Sequence, residues 1–163
     1  MTAFFLFHML SMNECISKEF LYMLKKSTFH LENELKKADS LESFLEEHEG
    51  ELEVGSLASQ LQLLISEKGM IKADVVKESN LNGVYAYQIL AGKRRPSRDK
   101  LLALCFAMNA TLEETQILLR RNESATLYVK NRRDSIIIFA LSRGHSLIQV
   151  NSDLYEHGEA IIE

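Results

Sequence analysis

KADVVKESNLNGVYAYQILAGKRRPS, residues 72–97, is the stretch whose reading decides the fold. Its first eight residues set Ala73, Val75 and Val76 among Lys72, Asp74, Lys77 and Glu78, which gives a short helix with one narrow apolar face. Asn80-Leu81-Asn82-Gly83 reads as a turn, because Asn tolerates the left-handed conformation that a tight turn needs. Asn82 is also a good N-cap for a second helix over 83–91, with Ala86, Ile89 and Leu90 facing inward. Gly92 stands where a left-handed residue stops a helix. A basic loop follows, Lys93-Arg94-Arg95-Pro96-Ser97, in which Pro96 fixes the exit and Ser97 caps the next helix. Two helices joined by a tight turn form a helix-turn-helix, whose second helix lies in a major groove with its N-terminal residues nearest the bases.

Working outward, Ser56 caps a helix carrying Leu57, Leu61, Leu64 and Ile65, and Lys68-Gly69 ends it. Downstream, residues 98–108 form a Leu-rich helix. Thr111 with Glu114 is a capping box for a helix over 112–121. The chain therefore holds five consecutive helices between 55 and 122. The run ADVVKESNLNGVYAYQILAGKRRPS, followed by LLALCFAMNATLEETQILL, resembles the lambda-repressor-like family of bacterial and phage regulators (the xenobiotic-response-element type). Ala73 or Val76, Asn80, Tyr85, Gly92, Lys93, Arg94, Pro96 and Leu101 occupy the places of that family's pattern. The chain departs from it at Ile71 and Lys72, where the family often has Ser or Thr and then Gln. It departs again at Asn80 in place of the turn Gly, and at Gly83 and Val84, where polar readers are usual.

The resemblance, which covers roughly two fifths of the chain, implies an all-α fold with a lambda-repressor-like five-helix DNA-binding bundle over 55–122. The residue patterns on either side add an N-terminal helical arm over 1–54 and a C-terminal helix pair over 123–163 packed on the bundle. The resemblance also implies a transcriptional regulator bound to double-stranded DNA. Asn82, Val84, Tyr87 and Gln88 are then the neighbours of base edges. Lys72, Tyr85, Lys93, Arg94 and Arg95 position the helix on phosphates. Regulators of this type are commonly homodimers, which sets half-site spacing. Gly83 cannot hydrogen-bond a base and Val84 offers a thymine methyl only a contact. A second reading is therefore a protein-interaction module on the same fold, meeting a partner through the acidic arm or through 133–156.

The C-terminal region carries an internal echo. RDKLLALCFAMNATLEETQILLRR at 98–121 aligns without gaps on RDSIIIFALSRGHSLIQVNSDLYE at 133–156, an offset of 35. Arg98-Asp99 matches Arg133-Asp134, Thr111-Leu112 matches Ser146-Leu147, and Leu119 matches Leu154. Stacked helix pairs bury a continuous apolar face, although amphipathic pairs also align by chance and two copies do not make a solenoid. Residues 136–141, IIIFAL, are apolar all round, which predicts a helix buried on more than one side, against 98–121 or against a second chain.

The arm begins MTAFFLFHML, which lacks a basic start and a small-residue cleavage site and is too short to span a membrane. Either Met12 is the start and residues 1–11 are an extension, or the segment covers an apolar surface or a partner. Residues 18–35 are amphipathic. Ser40 caps a further helix, with Leu41, Phe44, Leu45 and Leu52 as its inner face. Acidic residues dominate here: residues 1–55 hold five basic and eleven acidic residues, against fourteen and twelve in the remainder.

The net charge of −4 argues against a general nucleic-acid binder, but phosphate contacts are local, and the basic residues gather at Lys93, Arg94, Arg95, Arg98 and Lys100. The two cysteines, Cys15 and Cys105, lie far apart, so neither a disulfide nor a metal framework is indicated, and a reducing cytoplasm is the default. No cofactor motif, metal-ligand spacing or catalytic constellation is present in the sequence, so the reading is of a binding protein and not an enzyme.

Overall fold

The computed structural model describes residues 31–48 and 55–163. The expectations for residues 1–11, for Cys15, for the amphipathic stretch up to residue 30 and for Leu52 lie outside the described residues. Among the described residues every regular element is an α-helix. The chain divides into two compact units, Met1–Gly55 and Ser56–Glu163. The break falls at the Val54-Gly55-Ser56 junction, and residues 123–163 belong to the same unit as 56–122.

In the first unit residues 31–37 are helical and Leu41–Glu47 forms α1. Ser40 caps α1 by accepting from the Ser43 amide at 3.1 Å. Phe44 alone on this helix is buried, and its ring lies 4.6 Å from that of His48. Leu41 and Leu45 are exposed, so of the inner face expected there, Phe44 alone is buried among the described residues.

The second unit runs α2 (Leu57–Glu67), α3 (Lys72–Glu78), α4 (Gly83–Leu90), α5 (Arg98–Ala107), α6 (Leu112–Arg121), α7 (Arg132–Arg143) and α8 (Leu147–Glu156). Side-chain caps start most of them. Ser56, Asn82, Ser97, Thr111, Asn131 and Ser146 each accept from the backbone N–H three residues on, and the Thr111 and Ser146 caps are closed reciprocally by Glu114 and Gln149. Each satisfies a donor that the first helical turn leaves orphaned.

Helix α3 is the exception, because Ile71 at its N-cap makes no side-chain bond and is exposed. Replacing Ile71 with Ser supplies the missing acceptor. The expected result is a gain of about 1 kcal/mol, seen as a rise of roughly 2–4 °C in the thermal midpoint.

One turn recurs in the α2–α3, α5–α6 and α7–α8 hairpins. Gly69, Asn109 and Gly144 take left-handed φ values of 61°, 48° and 66°. The next amide in each case closes back on the helix: Met70 to the Ile65 carbonyl, Ala110 to Cys105 and His145 to Ala140, at 2.9–3.0 Å. This is the Schellman ending, which satisfies carbonyls the last turn leaves free.

A single core runs from Leu61 to Ile162. Its centre is α5, buried from Leu101 through Met108 and packed against α3, α6 and α8. Elsewhere α2 packs on α4 and α6, α3 on α4, and α7 on α6 and α8. Helix α7 therefore has fewer neighbours than its apolar sequence suggests. Ile137, Ala140 and Leu141 are buried, but Ile136 and Ile138 are only partly covered and Phe139 is 53% exposed. Burial all round belongs to α5 instead.

Cys105 sits within that centre, fully buried, and burial pushes its thiol up to about 12. It stays a neutral packing group at physiological pH.

Candidate nucleic-acid interface

Helices α3 and α4 meet across Ser79-Asn80-Leu81-Asn82. Ser79 is buried and donates its hydroxyl to the Val76 carbonyl at 2.8 Å, which closes the end of α3. Asn80 takes the left-handed conformation, with φ 54°. The Asn82 side-chain oxygen accepts from the Tyr85 amide at 3.2 Å, so the turn and the start of α4 share one residue.

Helix α4 has two different faces. Ala86, Ile89 and Leu90 are buried, and Gln62 of α2 donates to the Leu90 carbonyl at 2.7 Å. The opposite face carries Val84, Tyr87 and Gln88, at i, i+3 and i+4, which share one side of a helix. Val84 is 69% exposed, Tyr87 is 47% exposed and Gln88 is half-buried. A Cβ placed on Gly83 would meet Val76 Cγ1 at 3.9 Å, an ordinary contact. The fold therefore does not require glycine there, and its absent side chain lowers the tip of the helix.

The exit from α4 fixes where the basic residues stand. Gly92 has φ 73°, and a Cβ on it would come 3.2 Å from that of Ala58, so strain and crowding both favour glycine. The amides of Lys93 and Arg94 both donate to the Gln88 carbonyl, at 2.8 and 3.2 Å. Their side chains are exposed. Lys72 is exposed at the first position of α3.

The remaining expected residues are committed elsewhere to differing degrees. Asn82 uses its oxygen on the cap, leaving its amide N–H groups as the outward donors. Tyr85 is half-buried against the core. Arg95 turns from the loop towards α6, pairing with Glu123 at 2.9 Å and donating to the Asn122 carbonyl.

Sequence reasoning gave no place to Asn122, which anchors the basic loop. Asn122 is buried, and its amide donates to the Pro96 carbonyl at 3.0 Å and to Ser124 Oγ at 2.8 Å. The only signal for it in the sequence is a polar residue directly after the α6 pattern, which is commonplace.

Away from α4, a cleft of about 410 Å³ lies between the α5–α6 and α7–α8 turns, lined in part by Phe106, Leu112, Leu141, Ser142 and His145. His145 Nδ1 lies 3.2 Å from Asp153. Ser142 shares the cleft, but its hydroxyl donates back to the Ile138 carbonyl at 2.8 Å, so no nucleophile–base contact forms. Among the described residues no cluster of His, Cys, Asp and Glu could hold a metal ion, and no helix is long and apolar enough to cross a membrane.

No protein-family model matches the sequence, and searches of curated proteins and of solved structures find no match.

Proposed function

We propose that the chain is a DNA-binding transcriptional regulator of the lambda-repressor-like class, reading a major groove through α4 in the cytoplasm. One observation carries the reading: α4 exposes Val84 and Tyr87 with half-buried Gln88 on the same side, and the backbone of exposed Lys93 and Arg94 is tied to the Gln88 carbonyl. The inner face of the same helix is locked into the core, so the outer face is held rigidly for docking. Gln88 supplies the bidentate amide that pairs with adenine, Val84 packs on a thymine methyl, and Tyr87 adds a hydroxyl and a ring. Lys72, Lys93 and Arg94 neutralise phosphates and set the register. Arg95 serves the loop first, through Glu123 and Asn122.

Gln88→Ala tests the reading role. The variant is expected to lose about 1–3 kcal/mol of discrimination at one base pair while still binding duplex DNA. Competition binding against single-base operator variants measures this. Unchanged preference at every position would remove Gln88 from the reading face.

A second reading is favoured by Ile71, Val84 and Tyr87 lying exposed on α3 and α4. Such apolar exposure also suits a protein partner, met on this face or through the acidic arm or residues 133–156. That reading predicts a stable protein complex and only weak, sequence-independent DNA binding.

A further inference from the structure

The offset of 35 residues seen in the sequence extends through the packing. Beyond the paired helices, each unit ends in a short extended strap. The Gln116 side chain bonds both the N–H and the C=O of Leu127, at 2.8 Å each. The Asn151 side chain bonds both backbone groups of Ile162 in the same way, at 2.8 and 3.0 Å. Arg98 Nε donates to the Ala125 carbonyl at 2.8 Å, and Arg133 Nε to the Ala160 carbonyl at 2.7 Å. Every partner in the second set is the first shifted by 35. Residues 98–127 and 133–162 are thus one structural unit present twice.

The two units meet reciprocally. Arg98 Nη2 of the first donates to both oxygens of Asp134 in the second, at 2.9 Å. Arg133 of the second forks onto both oxygens of Asp99 in the first, at 3.0–3.1 Å. Likewise α8 packs on α5, and α6 packs on α7. Exchanging the units turns each contact into the other. That is the pattern of a two-fold axis, in which one patch meets a copy of itself. A translational stack would instead send Arg133 onward to a third unit.

We infer that the contact face of residues 98–127 is self-complementary, that its natural partner is another copy of the same unit, and that residues 133–162 fill that place within the chain. The chain therefore carries an internal pseudo-dimer, and this face is closed to a second chain. Two-fold pairing is closed, so it leaves no second such face open. The tether of five residues between the units holds the internal copy at an effective concentration on the order of millimolar, which outcompetes a second chain under ordinary conditions. Resting on the DNA-binding reading, one consequence follows: each molecule presents one α4, and its binding site need not be palindromic.

The test is the mass of the intact chain in solution, by sedimentation equilibrium across a micromolar concentration series. A monomer of 18.6 kDa is expected at every concentration. A dimer that is lost on replacing Asp99 with Ala is held through this face and would overturn the inference, whereas a dimer that survives the replacement is held elsewhere and leaves this face closed. A second arm uses the full-length double variant Arg133→Glu with Asp134→Lys. It sets like charge against Arg98 and Asp99, while leaving those two residues free to pair with their counterparts in another chain. Dimerisation of this variant with helicity retained is expected, and a helical monomer would overturn the inference. If the variant loses its helicity, the mass of the intact chain decides alone. Neither arm involves DNA, so a failure here is distinct from a failure of the DNA-reading proposal.

Discussion

Arg98→Ala is expected to destabilise the folded chain by about 3–5 kcal/mol, the range for stranding one member of a buried ion pair. The Asp134 side chain is only 9% exposed and that of Arg98 is 24% exposed. Asp134 accepts both guanidinium bonds and also the Tyr128 amide at 3.0 Å. Without Arg98 its carboxylate keeps its burial and loses its counter-charge, and the Ala125 carbonyl loses a donor. Equilibrium unfolding in urea measures the loss as a lowered midpoint at unchanged slope. The paired replacement Arg98→Met with Asp134→Leu should cost less than the two single changes summed, because it removes both charges together. The exposed Lys36–Glu32 pair of the first unit is the control. Its side chains are 65% and 58% exposed, and Lys36→Ala should change stability by less than about 0.5 kcal/mol.

The second large effect is on binding. The double variant Lys93→Ala with Arg94→Ala is expected to bind every duplex more weakly, by about tenfold or more at moderate salt. Its plot of log affinity against log salt should be shallower by roughly 1.8, because two phosphates are no longer neutralised and each accounts for about 0.9 of the slope. Sequence preference should be retained, because neither side chain reaches a base edge in the proposed pose. Folding should be unaffected, since both side chains are exposed and both backbone N–H groups still donate to the Gln88 carbonyl. Arg95→Ala should differ from this pair. Its guanidinium already serves Glu123 and Asn122, so its removal loosens the loop with a smaller change in salt slope.

Local chemistry made much of this legible in the sequence. Asn82, Ser97 and Thr111 cap helices at the positions their spacing to the apolar runs predicts, and Gly92 terminates α4 as its conformational freedom requires. The apolar spacing along α4 placed Ala86, Ile89 and Leu90 inward, where they are buried. Tertiary direction was not legible. Arg95 lies in a basic run and reads as one more phosphate contact, yet its partner is 28 residues away at the end of α6. The RD match at 98 and 133 is visible in the sequence, but alignment alone does not reveal that each Arg bonds the Asp of the other copy. The straps at 125–127 and 160–162 leave no mark there, because three extended residues with one apolar side chain turned inward carry no periodicity. Phe139 reads as core in IIIFAL, and its exposure follows from how few helices surround α7.

Selection of bound duplexes from a random pool by the purified full-length protein decides whether α4 reads DNA sequence, as proposed. The Lys93→Ala, Arg94→Ala and Arg95→Ala triple variant is run alongside. A single enriched motif is expected for the native chain, with binding lost in the triple variant. No enrichment at low salt, where phosphate attraction is strongest, would contradict that proposal and leave the exposed face of α3 and α4 to a protein partner.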